Sequence, residues 1–227
     1  MSATEQQIQR DGYVNAFRHP DVVRAIALGP HGRIAVLYME WAGPKFQHVT
    51  VPWTIIGGDA EAERFANALA RKPIVREAAT SISSGLLRAE DLFAHSQLVD
   101  ERRVIDVSGD GPNNAGPPIA SVRDELVDSG ISINGLPMSL DRGGLSAFGN
   151  FEPSSGAYLE SYYENCVIGG PDAFVIWIDD MSQFEVAVRR RLVREIVGQP
   201  ARTWLTSSRP RTGPVADCSA LGEVVGQ

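Results

Sequence analysis

A chain of 227 residues, 43% hydrophobic and 22% charged, is long enough to bury one sizeable core and too apolar for wholesale disorder. Its net charge of −7 argues against nucleic acid as a partner, because binding a phosphate backbone needs a concentrated basic surface. No apolar run approaches the ~20 residues that span a bilayer, so no membrane insertion is expected.

From Thr4 to Leu28 the spacing predicts helix, with Ile8, Tyr13 and Phe17 on one stripe and Val22, Val23 and Ile26 resuming it. Pro20 marks a break, since the residue before a proline avoids helical geometry. Arg33 to Trp41 is apolar on both alternating faces, the pattern of a central strand covered on both sides. After a turn at Gly43-Pro44, the alternation from Phe46 to Ile55 predicts an antiparallel partner, and Pro52, which has no N–H, places it at a sheet edge. Gly57-Gly58-Asp59 ends that strand and caps a helix running to Arg71, with Phe65 and Leu69 inward.

A hydroxyl-rich loop, Thr80 to Gly85, opens a further helix with Ile82, Leu86, Ala89 and Phe93 inward. A strand from Arg102 to Ser108 follows, then a helix from Pro118 to Asp128 that buries Val122 and Leu126, then a strand from Ile131 to Pro137. The Gly- and Ser-rich excursion from Asp141 to Ser155 reads as a surface loop near a binding edge. A helix from Ala157 to Asn165, a strand from Phe174 to Ile178 and a helix from Asp180 to Val197 complete the alternation, with Asp180 and Gln183 resembling a capping box. Arg189, Arg190, Arg191 and Arg194 read as a solvated face of that last helix. Residues 1–198 are therefore expected to form one domain, and 199–227, rich in Pro, Gly and Ser without a period, a disordered tail.

Cys166 falls at a helix end and Cys218 in the tail, so no disulfide framework is implied, and neither has a His at zinc-ligand spacing. His19, His31, His48 and His95 are scattered and carry no catalytic spacing. Met1 is followed by Ser-Ala-Thr-Glu-Gln-Gln, with no basic or apolar leader, so the product as written is expected to be cytoplasmic.

The stretch with most chemistry is Val104 to Asn114, a short apolar run that breaks into Gly109-Asp110-Gly111-Pro112-Asn113-Asn114. Ligands of open α/β sheets bind beyond the carboxyl ends of strands, which is where Asp110, Asn113 and Asn114 fall. A tight turn using the conformational tolerance of Gly, Asp and Asn explains the same residues. Asp106 lies between Ile105 and Val107, where a carboxylate needs an arginine or backbone amides beside it. Glu40, at the end of its strand, is a supporting group or a helix-cap partner, and Thr80 alone reads as an N-cap.

Strand–helix alternation with an edge hairpin, a Thr-led loop entering a helix and a strand ending in an Asp-Gly loop resemble the von Willebrand factor type A domain. Glu40-Trp41-Ala42-Gly43, Val51-Pro52-Trp53-Thr54, Arg103 to Asn114, Ile133-Asn134-Gly135-Leu136 and Asn165 to Pro171 resemble, more narrowly, the bacterial family catalogued as domain of unknown function 1194. The likeness runs from Gln7 to Ile196. It implies an α/β fold: three layers, doubly wound, with a mostly parallel sheet and one antiparallel edge strand. It also implies a metal-ion-dependent adhesion site built from three loops, of which Thr80 is similar to the second element and Asp110 to the third. The first element, an Asp-x-Ser-x-Ser loop after the first central strand, is not found in this sequence. Asp106-Val107-Ser108-Gly109-Asp110 imitates it, but the strand carrying it follows a hairpin and two helices, as a fourth strand should.

The resemblance therefore implies a metal-dependent, adhesion-type protein-binding module with an incomplete metal site. Mg²⁺ or Mn²⁺ would take Asp110 and Thr80 as ligands, supported by Asp106, Ser108, Asn113, Asn114 and Glu40, and held weakly because one carboxylate and one hydroxyl leave most of an octahedron to water. A start upstream of Met1, with an export signal and the first strand, would make the product exported or periplasmic. The expected partner is an unidentified protein, with no small-molecule substrate and no enzymatic activity. The alternatives are a metal-assisted hydrolase pairing Asp110 with Asp106, for which no nucleophile and base are apparent, and a metal-independent interaction protein.

Overall fold

The structure, a computed structural model, describes residues 3–75, 77–98, 102–138, 156–178, 180–197 and 216–219. The predicted excursion from Asp141 to Ser155 lies outside them, as does most of the expected tail. In chain order the elements are α1 (Ala3–Arg18), α2 (Pro20–Leu28), β1 (Ile34–Trp41), β2 (Gln47–Ile56), α3 (Asp59–Ala70), α4 (Ile82–Ala94), β3 (Arg103–Gly109), α5 (Ile119–Asp128), β4 (Ile131–Pro137), α6 (Gly156–Tyr162) and α7 (Phe184–Val197). They fall into two compact units, one of Met1–Glu40, His48–Arg76 and Asp180–Arg202, the other of Trp41–Gln47, Glu77–Asp179 and Thr203–Gln227. No helix among the described residues is long and apolar enough to cross a membrane.

In the first unit the predicted break between α1 and α2 falls at His19, whose extended backbone (ψ 133°) stops one helix while its Nδ1 accepts the Asp21 N–H at 3.2 Å to start the next. Helix α1 packs on α3 and α7. Phe17 lies 4.7 Å from Phe65, and Tyr13 meets the rings of Tyr38 and Phe184 edge-on at 5.3 and 5.8 Å. Of the expected stripe of α1, Tyr13 and Phe17 are buried but Ile8 is 37% exposed, and Arg10 is instead 2% exposed. Arg10 is tolerated inside because its guanidinium bonds Glu40 and the carbonyls of Lys72 and Pro73. The arginines of α7 are likewise not one solvated face, since Arg191 is fully buried while Arg190 and Arg194 are exposed.

Strands β1 and β2 form a two-stranded sheet, with the Ala42 N–H bonding the Phe46 carbonyl at the turn. The doubly covered central strand expected at Arg33–Trp41 is corrected here. Every residue of β1 is half-buried, because β1 pairs with β2 alone among the described residues and its other long side has no ladder partner. In the second unit β3 and β4 pair in parallel, with Asp106 opposite Asn134 and Gly109 opposite Pro137. Residues 174–178 run beside β4 on its other side, making parallel bridges at Gly135–Val175 and Met138–Ile178 rather than a full strand. The flanked strand β4 is buried throughout, while the first four residues of the outer strand β3 are half-buried. An α/β fold is thus observed, with two two-stranded sheets among the described residues.

The core of the second unit gathers Leu86, Ile119, Val122, Leu126, Ile131, Ile133, Leu159 and Tyr162. Helix α6 runs on as a π-turn, Tyr163–Val167, a widening at which the Ile168 N–H bonds the Tyr163 carbonyl five residues back. Cys166 in that turn is joined by a disulfide to Cys218, with Cα atoms 5.4 Å apart. The sequence implied no such bond: the two cysteines stand 52 positions apart, and only the fold brings them together.

Candidate functional site

Strand β3 delivers its chain to the site through Gly109, whose carbonyl accepts the Met138 N–H at 3.0 Å. A side chain has no room there. A methyl group on Gly109 would stand 2.8 Å from Tyr163 Oη and 3.3 Å from the Trp41 ring. Asp110, the next residue, is exposed.

The loop beyond Asp110 is tied to the start of α4 by side chains that act as backbone partners. The Asn114 N–H donates to the Thr80 carbonyl at 2.8 Å, and the Thr80 N–H donates to Asn114 Oδ1 at 2.8 Å. Asn113, 5% exposed, accepts at Oδ1 from both the N–H and the hydroxyl of Ser83 at 3.1 Å and donates from Nδ2 to the Pro117 carbonyl at 3.2 Å. Its own N–H donates to Tyr162 Oη at 3.2 Å. Helix α4 starts at Ser81, whose hydroxyl caps the Ser84 N–H, so Thr80 is one residue outside the cap position the sequence allowed it. Gly116, at φ +83°, presses against the hydroxyls of Ser81, Ser83 and Ser84, with no space for a Cβ. Ala79 also takes a left-handed backbone (φ 68°), an uncommon conformation for a residue with a side chain.

These bonds bring the Thr80 hydroxyl beside the Asp110 loop: a Cβ on Gly111 would lie 3.7 Å from Thr80 Oγ1. Thr80 and the Asp110–Gly111 peptide therefore share one rim. Asn113 and Asn114 hold that rim together, and the oxygens of both amide side chains are spent on backbone or hydroxyl donors. Asp106 lies further back along β3, where its Oδ1 accepts from Asn134 Nδ2 at 3.3 Å and Asn134 Oδ1 in turn accepts the Phe174 N–H. Ser108 is buried in β3, and Glu40 belongs to the other unit as the partner of Arg10. Tyr162, Ser83 and Gly116 escaped the sequence reading; only Ser83 carried a signal, as part of the hydroxyl-rich loop. Burial pushes the Tyr162 phenol up to about 12, against the lowering effect of the Asn113 N–H, and so keeps it a neutral acceptor for that N–H.

As a cation site the rim is partial. Among the described residues no three His, Cys, Asp or Glu side chains gather to hold a metal ion. One carboxylate and one hydroxyl would supply two of the roughly six oxygens that Mg²⁺ prefers.

The model of the family described as "Protein of unknown function (DUF1194)" matches residues 1–200. No curated protein matches the chain by sequence. Solved structures that resemble it include proximal thread matrix protein 1 from the mussel byssus with a zinc-occupied MIDAS motif, at 14% identity and a TM-score of 0.52, over 85% of this chain and 43% of that one. The pilus adhesin SpaC from Lactobacillus rhamnosus GG aligns at 10% identity and a TM-score of 0.57, over 86% of this chain and 28% of that one. A von Willebrand factor type A structure from Catenulispora acidiphila aligns at 10% identity and a TM-score of 0.51, over 82% and 38%. The chain spans less than half the length of each of these three proteins. At such identities the likeness shows the fold, which is von Willebrand factor A-like.

Proposed function

The chain belongs to the DUF1194 family, and from that membership and its fold we propose that it is a protein-interaction module whose contact surface is the rim shared by Asp110 and Thr80, working with a divalent cation. The observation that supports this reading is the Thr80 hydroxyl held beside the Asp110–Gly111 peptide by the reciprocal Asn114 bonds. Asp110 and Thr80 would hold Mg²⁺ or Mn²⁺ as two of its oxygen ligands. The ion would supply an open position for a carboxylate from the partner protein. The zinc-occupied motif of the mussel thread protein and the pilus adhesin lend this support by likeness of fold.

The doubly wound sheet of this fold belongs to the same proposal, which rests on the likeness of fold. So does export, which the Cys166–Cys218 disulfide supports, because such bonds persist in oxidising compartments. The reading is of a binding protein and not an enzyme. A hydrolase using Asp106 with Asp110 has weaker support, since Asp106 is engaged by Asn134 in the strand register.

Isothermal titration of the full chain with Mg²⁺ and with Mn²⁺ tests the reading. Binding heat that disappears in Asp110→Ala is expected; no binding with Asp110 intact defeats it.

A further inference from the structure

The disulfide reaches the site through one short piece of chain. Cys166 is fully buried in the π-turn, and Tyr162 and Tyr163 precede it by four and three residues. Tyr162 Oη holds the Asn113 N–H, and Tyr163 lies over Gly109 and Gly135, the positions where β3 and β4 carry no side chain. On the far side of the bond, Ala216 is buried in the same core and Cys218 packs against it. The Asp217 carboxylate adds to burial in raising the phenol of Tyr158, and Tyr158 stacks on Tyr162 with ring centroids 6.1 Å apart. Residues 216–219 thus cover the helix whose end supports the loop.

We propose that the Cys166–Cys218 disulfide is a redox-sensitive fastener of the Asp110–Asn114 loop: intact, it clamps residues 216–219 onto α6 and fixes Tyr162 under Asn113, and reduced, it lets that loop open locally while the β-sheet beneath stays folded. A dithiol reductant breaks the S–S bond, delivering two electrons and two protons to give two thiols, and is itself converted to a disulfide. Once the bond is broken, residues 216–219 lose their covalent tie to the π-turn, and because among these four only Ala216 is buried, the segment opens at low free energy. The proposal rests on the loop's own hydrogen bonds and not on cation binding, so it stands or falls separately from the reading of the rim as a metal site.

The test is amide hydrogen exchange on the full chain, oxidised and after dithiothreitol, with Cys218→Ser as the variant because Cys166→Ser would bury a hydroxyl in the core. Peptide mass spectrometry without reductant first establishes the Cys166–Cys218 link. On reduction, and in Cys218→Ser, the acceleration of exchange at Ser83, Asn113 and Asn114 should exceed by about tenfold that at Ile133 and Gly135, which are bonded to Gly169 and Phe174 and follow only the loss of global stability. The absence of a linked peptide from the oxidised chain overturns the proposal. So does unchanged exchange at Asn113, and so does equal acceleration at Ile133 and Gly135, which would make the bond a general staple.

Discussion

Asn114 and Thr80 bond each other twice, each N–H finding an oxygen of the other at 2.8 Å, so that two loops from different parts of the chain behave as one. Asn113 beside it accepts both the N–H and the hydroxyl of Ser83 on its Oδ1, and does so from a buried position. Burial decides which of the two matters more for stability. Asn113→Ala leaves the Ser83 N–H without its partner away from water, and should cost about 1–3 kcal/mol. Asn114 is exposed, water can replace its side chain, and Asn114→Ala should cost about 1 kcal/mol or less. Urea unfolding of the two variants checks the order; equal losses would contradict it.

Arg10 and Glu40 form a pair with the guanidinium almost wholly buried, and such a pair is worth little by itself but costly to break. Arg10→Ala should lower the unfolding free energy by about 3–5 kcal/mol. Arg10→Met with Glu40→Gln should lose less than the sum of its single variants. A double-mutant cycle by chemical denaturation measures that coupling, and additivity would count against it.

The Cys166–Cys218 bond closes a loop of 52 residues, and in the chain-entropy account it stabilises by constraining the unfolded state. Reduction should lower the unfolding free energy by about 2–4 kcal/mol, read from melting curves with and without reductant. Identical curves would show the bond to be energetically silent.

Tyr162 gives a pH dependence of known sign. Its folded phenol is pushed up to about 12 from an ordinary 10 by burial, so its contribution is fully present below pH 10 and is lost as the pH rises towards 12. The loss at the top of that window is at most about 2–3 kcal/mol. Burial also raises the phenols of Tyr38 and Tyr158, so the wild-type chain falls further than Tyr162 alone accounts for. The difference in stability between wild type and Tyr162→Phe should therefore be flat below pH 10 and narrow above it. A difference that does not change with pH would remove Tyr162 as the cause.

Much of the local structure was legible in the sequence because it rests on periodicity and on proline. The break at Pro20, the hairpin turn after Trp41 and the strand that ends before Asp110 fall where patterning put them. The approach of Thr80 to Asp110 was legible only through the family resemblance, since the two loops are 30 residues apart and joined by amides that look like ordinary turn residues. What stayed hidden depends on tertiary partners. Arg10 reads as surface until Glu40 and two carbonyls are seen around it, and Cys218 sits in an aperiodic tail that offers no spacing rule. Strand β1 reads as central from its composition, which cannot show that among the described residues only one of its sides is paired. The π-turn has no residue signature, yet it sets where Tyr162 and Tyr163 meet the loop.

The rim of Thr80 and Asp110 as a shared cation site is tested most directly by paramagnetic broadening of amide resonances on titrating the full chain with Mn²⁺. The expected result is that Thr80, Asp110 and Gly111 broaden first and together, and that Asp110→Ala abolishes the effect at Thr80. Broadening centred on another part of the chain, or broadening at Thr80 that survives Asp110→Ala, would contradict it.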